Sequence, residues 1–323
     1  MSADNHFLKS PWLYVGVATI AIFALCFWAI DRVSRPDTDT QPKVERQVIA
    51  TIQSNPELIA LARQQGWIQP TAEELTSIDA SKVTEVGTAF VGSQLKTFDE
   101  FRFFVGLHEL PGGAFAHSES LTAITLPPTI DDVKYGALAY CPSLTTIRVD
   151  SANTHYDARN DCNAVICTWK GKLMLVAGCR TTVIPDGVRY LAPQAFCGCR
   201  GLKGIDFPER FDEIGAEAFR DCADLETIVL PQGMRFVEES TFAGCTALQS
   251  VTLSKSIERL RRYAFAGCSA LAAIVSPKRY PPIIEDAFDR HEATVHVPQG
   301  MLNKYSTAPG WKSFKHYKEL PAK

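Results

Sequence analysis

The sequence lacks a surplus of charge of either sign. Its 33 Lys and Arg residues are nearly matched by 36 Asp and Glu residues, which leaves a formal net charge of −3 over 323 residues. A protein that binds nucleic acid needs an excess of cations to neutralise phosphates. The composition therefore predicts that nucleic acid is not a partner.

The motifs of the common enzyme and cofactor classes are missing as well. The chain has no G-x-S-x-G nucleophile turn, no G-x-x-x-x-G-K phosphate loop and no G-x-G-x-x-G dinucleotide fingerprint. The seven His residues are scattered, and Cys197 and Cys199 are not joined by a second cysteine pair at zinc-ligand spacing. We therefore predict a protein that is not an enzyme and has no cofactor and no metal site.

What the sequence has in abundance is a repeat. The phrase AFxxCxxLxxIxLP returns at intervals of 23 residues, so that its apolar positions form columns. The aromatic column consists of Phe196, Phe219, Phe242, Phe265 and Phe288. The cysteine column consists of Cys199, Cys222, Cys245 and Cys268. A period of roughly 20–29 residues that is rich in Leu and Ile is typical of a leucine-rich-repeat solenoid.

Each repeat contains a short strand followed by a proline. Ile228 and Leu230 are two residues apart, so both side chains point to one face of the strand. Pro231 ends the strand, because proline cannot donate a hydrogen bond to a ladder. One coil cannot bury this apolar face alone, and stacked coils bury it against one another. The pattern predicts an α/β-type repeat solenoid over residues 83–293, with 23-residue coils and a parallel strand ladder.

One interval breaks the period. Leu138 and Phe196 are two repeats and 12 further residues apart. The extra residues lie at about 150–179, where two apolar runs flank the turn Trp169-Lys170-Gly171-Lys172. We therefore predict a hairpin inserted in one coil.

An uncharged apolar run occupies residues 11–30, between a short tail at 1–10 and a polar linker at 31–43. Its length is about that needed to cross a bilayer core, and Trp12 and Trp28 lie where aromatic rings favour the interface. We predict a transmembrane anchor, with a cleaved signal peptide as the alternative. The charges on the two sides of the run do not decide its orientation.

The segment before the solenoid, residues 44–82, is predicted to be a helical cap. Pro56 suits a first helical turn, Gly66 suits a helix end, and the spacing after Thr71 matches a capping box. Such a cap is expected because a terminal coil otherwise exposes the core.

The other end of the solenoid, residues 294–323, is predicted to form a second cap. We expect a strand at Thr294–Val297 and a covering segment at Met301–Phe314. The lid of this cap is expected to consist of Tyr305, Trp311 and Phe314.

The chain closely resembles the BspA-type leucine-rich-repeat family of bacterial surface proteins over about residues 56–314. The resemblance is carried by the repeat phrase, by FDEFRFFVGLHELPGGAF at the start of the solenoid, by YDARNDCNAVICT and GCRTTVIPDGV around the insert, and by VPQGMLNKYSTAPGWKSF at the end. It implies a secreted or surface-attached protein that adheres to host matrix proteins, other cells or polymers. Some members carry an Asp-rich, calcium-like loop before the solenoid, but RQQGWIQPTAEEL in this chain lacks the carboxylates.

The candidate binding residues are strand positions that point away from the core, because solenoids bind through that continuous face. They are Thr125, Thr146, Arg148, Lys203, Asp206, Glu226, Thr227, Gln249 and Thr252. The alternative interpretation is a merely solvated surface rich in Thr and Ser.

The cysteines of the column are predicted to be buried thiols, which pack as small apolar groups. For the cysteines off the column, one disulfide is the alternative, and its candidates are Cys162, Cys167, Cys179 and Cys197.

The sequence thus predicts a single-pass membrane protein with an extracytoplasmic leucine-rich-repeat solenoid, preceded by a transmembrane helix and a short helical region. Its expected partners are the lipid bilayer at residues 11–30 and a protein or polysaccharide ligand, with host matrix proteins among the candidates. An envelope spacer without a ligand of its own is the alternative function.

Overall fold

The Leu-x-x-Ile-x-Leu segments of successive coils form a ladder of parallel strands, here called the first ladder. The computed structural model describes residues 44–321 of the chain. Ile228 lies opposite Val251, and Val251 lies opposite Ile274, so the pairing keeps step with the repeat. The strands are β3 (Thr97–Phe98), β5 (Ala123–Leu126), β7 (Thr146–Val149), β13 (Thr227–Val229), β15 (Ser250–Thr252), β17 (Ala273–Val275), β19 (Thr294–Val297) and β20 (His316–Glu319). They form two sheets, β3-β5-β7 and β13-β15-β17-β19-β20.

A second ladder of mostly two-residue strands follows the proline of each coil, and the sequence did not predict it. Neighbouring strands of this ladder are again parallel. Val237 from this ladder and Ile228 from the first ladder are buried in the same core. The strands are β4 (Glu109–Leu110), β6 (Asp132–Val133), β11 (Val188–Leu191), β12 (Glu213–Ile214), β14 (Phe236–Val237), β16 (Arg259–Leu260) and β18 (Ile283–Ile284).

The aromatic column forms a continuous stack of rings inside the core. Neighbouring ring centroids from Phe196 to Phe288 are 5.1 to 5.4 Å apart, and neighbouring ring planes differ by 5° to 9°. Such offset stacking adds to the free energy gained from burying the rings. Phe314 meets the last ring, Phe288, edge-on at 5.2 Å.

The cysteine column lies beside these rings and is bonded to the backbone of the preceding coil. The thiol of Cys222 donates to the carbonyl of Phe196 at 3.1 Å, and that of Cys245 donates to the carbonyl of Phe219 at 3.1 Å. Cys141 makes the same bond to Phe115 in an earlier coil. All nine cysteines within residues 44–321 are free thiols, so none of the candidate disulfides is formed there.

The predicted hairpin is confirmed by the antiparallel pairing of β9 (Ala164–Trp169) with β10 (Lys172–Gly178), in which Trp169 lies opposite Lys172. The turn residues Lys170 and Gly171 both have positive φ, as two-residue hairpin turns require. A short strand β8 (Tyr156–Asp157) extends the sheet on one side. On the other side β10 pairs in parallel with β11, which joins the hairpin to the second ladder.

The hairpin separates two buried clusters. Val165 and Val176 pack into a cluster built from the N-terminal coils. Ile166 and Leu175, their neighbours in sequence, pack into a cluster built from the C-terminal coils. Because strand side chains alternate, one hairpin can be buried on both faces.

Gly178 occupies the place that a Phe of the aromatic column holds in other coils. Its amide donates to the carbonyl of Ala195, as the amide of Phe115 donates to Ala137. A Cβ at this position would lie 2.3 Å from Phe196 Cε1. Only glycine fits between the hairpin and the ring stack.

The predicted first-ladder strand around Lys203 and Asp206 is absent, and this prediction is wrong. Residues 202–207, here called the interrupted coil, form no strand. Among the described residues, the only backbone hydrogen bond between this coil and the next joins the amide of Glu226 to the carbonyl of Lys203. Gly204 in its middle weakens strand pairing, since glycine has no side chain to pack and more backbone freedom to lose.

The segment before the solenoid is helical only in part. It contains two helices, α1 (Pro56–Gln64) and α2 (Ser77–Ser81). It also contains two strands, β1 (Val48–Thr51) and β2 (Glu74–Thr76), which pair with each other in an antiparallel sheet. Pro56 lies in the first turn of α1, as the sequence indicated, and the Asn55 side chain caps this helix by accepting from the amide of Leu58. The capping box is not at Thr71, because Glu74 is drawn into β2. It begins instead at Thr76, whose side chain and that of Asp79 accept from each other's amides.

The C-terminal cap places aromatic side chains over the last coil. It consists of β19, helix α3 (Leu302–Thr307), a 3-10 turn at Trp311–Ser313 and β20. Tyr305, Trp311 and Phe314 are buried. The Trp311 indole N–H donates to the carbonyl of Pro282 at 2.7 Å, and the Tyr305 hydroxyl donates to that of Lys278 at 2.8 Å.

The predicted membrane anchor at residues 11–30 lies outside the described residues, together with the tail at 1–10 and the linker at 31–43. Within residues 44–321, no helix has the length and apolar character that a bilayer crossing requires.

Candidate binding face

The outward side chains of the first ladder form columns that run across the strands. In one column Thr227, Ser250 and Ala273 lie opposite one another, followed by Thr294. A second column, two residues further along each strand, consists of Val229, Thr252, Val275 and His296. The intervening residues, such as Ile228 and Val251, are buried. This alternation leaves one face of the ladder to solvent.

Four predicted residues are brought together on this face. Glu226 and Thr227 belong to one coil, and Gln249 and Thr252 belong to the next. Thr227 and Gln249 are exposed, whereas Glu226 and Thr252 are half-buried. These positions follow from the strand register alone, which is why the repeat phrase was sufficient to find them.

Three other predicted residues lie on the separate N-terminal sheet, and Thr125 is not available there. It is only 8% exposed, and its hydroxyl donates to Asp99 Oδ1 at 2.7 Å. Asp99 begins a 3-10 turn, Asp99–Phe103, that follows β3. Arg148 approaches the same carboxylate oxygen at 3.8 Å, while Thr146 remains half-buried beside Ala123.

The two remaining predicted residues, Lys203 and Asp206, lie on the interrupted coil and are exposed. Lys203 Nζ is 3.0 Å from Glu226 Oε1 on the next coil. The two charges therefore compensate each other on the surface, where such a pair contributes at most about 1 kcal/mol to stability.

Two valines are the most exposed large hydrophobic side chains among the described residues. Val183 is 72% exposed and Val229 is 64% exposed. Both stand two residues before a proline of the repeat, and Asp206 has the same position in the coil between them. Val183 was not among the predicted outward residues, because it follows the insert. Pro185, which lies one period before Pro208, nevertheless gives Val183 the same position in its coil as Val229.

The outward side of the second ladder carries ion pairs between neighbouring coils. Arg235 and Glu258 form a bidentate pair with distances of 2.8 and 2.9 Å. Arg259 pairs with Glu285, and Arg189 and Lys172 both pair with Asp212. These charges were not recognised as a set, because a strand of two residues is too short to show the alternation that marks a strand in the sequence.

Two open grooves interrupt the surface. The larger, of about 440 Å³, lies beside the hairpin turn and includes Lys172, Asp186, Arg189, Glu209 and Arg210 in its lining. The smaller, of about 380 Å³, lies on the turns before the strands and includes His117, Tyr140, Gln194, Glu217 and Arg220.

Two side chains of the smaller groove, Tyr140 and Cys197, are held in their protonated forms. Burial raises the pKa of Tyr140, and its hydrogen bond to Asp221 at 2.6 Å raises it further. Burial also raises the pKa of the Cys197 thiol to about 11, so the nucleophilic thiolate is suppressed at neutral pH. Over residues 44–321 no three His, Cys, Asp or Glu side chains are grouped so that they could hold a metal ion.

The fold is similar to that of a solved pneumococcal protein. The pneumococcal vaccine antigen PcpA is 16% identical over 68% of this chain and 66% of its own, with a TM-score of 0.50. A leucine rich cell surface protein from Faecalibacterium prausnitzii is 21% identical over 67% of this chain and 58% of its own, with a TM-score of 0.46. The chain thus spans less than two thirds of the length of either protein. No curated protein matches it.

The repeats match the family described as BspA type leucine rich repeat region. The match comprises six copies at residues 73–162 and 177–294. The unmatched residues between these ranges hold β9 and most of β10, so the hairpin accounts for the gap. Because the matched residues make up more than half of the chain, it belongs to the BspA-type leucine-rich-repeat family.

Proposed function

We propose that the chain is a binding module displayed outside the cytoplasm, held by a membrane anchor at residues 11–30, whose first ladder binds a protein or polysaccharide. The observation that supports binding is the row of solvent-facing side chains on the five adjacent strands β13, β15, β17, β19 and β20. Repeat solenoids commonly bind through such a continuous face.

The chemistry of the face favours a macromolecular ligand. Its outward columns consist mainly of Thr, Val and Ser on a regular ladder, and the two grooves described above are open. Small-molecule sites are usually enclosed and mostly apolar. Many weak contacts on an open face give modest affinity per copy, which rises when several copies act together on one membrane.

The binding test compares two matched ion-pair reversals in the full-length chain. K203E/E226K reverses a pair beside β13 of the first ladder, and R235E/E258R reverses a pair beside β14 and β16 of the second ladder, so each variant keeps the net charge of the wild type. For the wild type and for each variant, we measure binding to immobilised fibronectin, fibrinogen and collagen, and to polysaccharides in solution. We expect K203E/E226K to weaken capture of the ligand that wild type binds, and R235E/E258R to leave it unchanged.

The opposite result moves the binding face to the second ladder and contradicts the proposal. Glu239 on the turn side offers a further control, with E239K expected to be silent. Glu217 and Arg220, which are bonded to each other at 3.0 Å, line a groove and are therefore poorer controls.

The topology is tested separately with protease added to intact spheroplasts. The proposal expects loss of the solenoid and survival of a small membrane-bound fragment. Complete protection of the solenoid would place it in the cytoplasm and remove the basis for adhesion.

A spacer without a ligand is the second candidate, and charge compensation on the face favours it. Lys203 pairs with Glu226, and Arg148 lies near Asp99. The Thr145 hydroxyl is also used internally, since it donates to the carbonyl of Thr122 at 3.1 Å. A spacer is expected to be captured by none of the probes, whether wild type or variant.

A further inference from the structure

We propose a separate binding site, for an uncharged saccharide chain, in the smaller groove on the turns before the strands. The site goes beyond the proposed function, because it does not involve the first ladder. Two rings of its lining, His117 and Tyr140, stack with centroids 5.2 Å apart and planes that differ by 23°. A chain of polar side chains, Gln194, Glu217 and Arg220, also lines the groove.

The groove exists because residues of different size hold one turn position before and after the hairpin. Before the hairpin this position is held by Gly113 and Gly136, and after it by Gln194 and Glu217. All four residues have positive φ, so the backbone of the turn is the same in each coil. A Cβ on Gly136 would lie 2.3 Å from Gln194 Oε1, so the Gln194 side chain extends over this glycine. Small residues in the coils before the hairpin therefore leave the space that the groove occupies.

The two rings hold a second turn position that suits glycine. His117 and Tyr140 have φ of 60° and 55°, in the left-handed region that disfavours side chains. In three coils after the hairpin the same position is held by Gly198, Gly244 and Gly267. A Cβ on Gly198 would lie 2.3 Å from Tyr140 Cδ1, so the Tyr140 ring covers this glycine. Stacking of the coils therefore does not require a ring at this position.

The polar side chains of the groove are held in place by one another. Gln194 Nε2 donates to Glu217 Oε2 at 2.7 Å, and Arg220 Nη1 donates to Glu217 Oε1 at 3.0 Å. Arg220 Nε lies 3.6 Å from Asp221 Oδ2, which accepts from the Tyr140 hydroxyl at 2.6 Å. A ligand that binds here meets side chains that are already ordered, which lowers the entropy cost of binding.

The groove offers donors and acceptors side by side. The Arg220 guanidinium can only donate, the Glu217 carboxylate can only accept, and the Gln194 amide does both. A hydroxyl also does both, so neighbouring hydroxyls of one ligand suit all three side chains. His117 is exposed and stacks on Tyr140, and an aromatic ring attracts the partly positive C–H groups of a sugar ring. A saccharide supplies both the hydroxyls and the C–H groups.

The charges of the groove disfavour other ligand classes. Arg220 lies between the carboxylates of Glu217 and Asp221, so its charge is compensated and the excess carboxylate repels phosphate or sulfate. A purely apolar ligand would cover polar groups without replacing their bonds to water. The groove has about 380 Å³ and is open, so a saccharide chain can extend beyond it on the surface.

The test measures calorimetric binding of neutral oligosaccharides to the purified full-length chain. The probes are the hexasaccharides of maltose, cellulose, chitin and mannan, with heparin and polyphosphate as charged probes. H117G removes the exposed ring at a position where other coils carry glycine. The matched control is Y263G, because Tyr263 is also an exposed aromatic residue with positive φ on these turns and lines neither groove.

A second variant, A116W, fills the groove. Ala116 lines it and shares its turn position with Arg220, so the fold accommodates a large side chain there. Its matched control is A243W, at the same turn position of a coil outside the groove. Unchanged thermal unfolding of all four variants verifies that the fold is intact.

We expect at least one neutral oligosaccharide to bind the wild-type chain. H117G and A116W should each lower its affinity about tenfold or more, as central contacts do. Y263G and A243W should bind it like wild type.

Three outcomes overturn the inference. One is that no neutral oligosaccharide binds. Another is that H117G and A116W bind the oligosaccharide like wild type. If K203E/E226K alone loses it, the saccharide lies on the first ladder, and the proposed function stands without a site in the groove. The third is that heparin or polyphosphate binds instead and both groove variants lose that binding, which makes the ligand class wrong.

Discussion

Phe242 illustrates what a single residue of the aromatic column contributes. It is fully buried between Phe219 at 5.4 Å and Phe265 at 5.3 Å. Replacing it with Ala leaves a cavity and breaks both ring contacts, so we expect a loss of about 3–5 kcal/mol in the free energy of unfolding. Urea unfolding measures this loss, with V91A as an exposed control that should change by less than about 0.5 kcal/mol. A cost below about 1 kcal/mol for F242A would place this ring outside the core.

The buried thiols make stability sensitive to alkaline pH. Burial raises the pKa of Cys141, Cys199 and Cys268 to about 12, from an ordinary value of 9.0. Above pH 9 the unfolded chain releases these protons while the folded chain retains them, so the free energy of unfolding falls as pH rises toward 12. Below pH 9 the thiols are neutral in both states and their contribution is constant.

We therefore expect the urea midpoint to fall between about pH 8 and about pH 10.5, and to fall less in C141A/C199A/C268A than in wild type. Buried tyrosines such as Tyr305, whose pKa burial also raises to about 12, contribute equally in both proteins and cancel in the comparison. Equal slopes in the two proteins would show that the thiols do not carry the effect.

Single residues were predictable where the repeat fixes their environment. The columns of Phe and Cys, and the outward places of Thr227 and Gln249, all follow from counting along the repeat. Thr125 fits the same count but is covered by Asp99, which comes from a turn outside the repeat phrase. Its burial depends on a tertiary contact that periodicity does not encode.

At the scale of elements, two glycines of the solenoid are expected to respond in opposite ways to the same change. At Gly178 a Cβ would lie 2.3 Å from the Phe196 ring, so G178A should cost about 1–3 kcal/mol by overpacking. At Gly204 the nearest atom to a new Cβ is 3.9 Å away and φ is not positive, so G204A should be neutral or slightly stabilising. Thermal unfolding of the two variants tests this contrast, and equal losses would contradict the placement of the hairpin against the ring stack.

The elements that the sequence revealed were those with an apolar pattern of their own. The hairpin has two apolar runs around a turn with Gly, and the strand at Thr294–Val297 alternates in the expected way. The second ladder was not predicted, because most of its strands have two residues and are too short to show an alternation of apolar and polar side chains. The strands β1 and β2 were missed because they pair with each other across 20 or more residues, and their local composition does not indicate it.

At the scale of the whole molecule, the hairpin couples two cores that are otherwise separate clusters. Val165 belongs to the N-terminal cluster and Ile166 to the C-terminal cluster. We expect V165A to increase amide hydrogen exchange mainly in β5, and I166A to increase it mainly in β13, because each truncation loosens a different core. Mass spectrometry of peptides from the two halves measures this. The same exchange pattern in both variants would indicate one continuous core.

The stacking of the coils was predictable because each coil repeats the same pattern of apolar residues. The loss of the strand at residues 202–207 was not predictable from that pattern. The sequence DFPER at 206–210 keeps the proline of the repeat, and the single glycine at 204 that weakens strand pairing did not outweigh the periodic pattern around it.

The nine free thiols of residues 44–321 also determine what happens after unfolding. While the coils are stacked, burial keeps nearly all of these thiols from oxidants, since only Cys167 is partly exposed among the described cysteines. Once the stack opens in an oxidising compartment, nine thiols become reactive together and can join in combinations that no refolded coil can accommodate. Unfolding there becomes a one-way step. The working lifetime of the protein is then set by how rarely its coils separate rather than by the equilibrium between folded and unfolded chains.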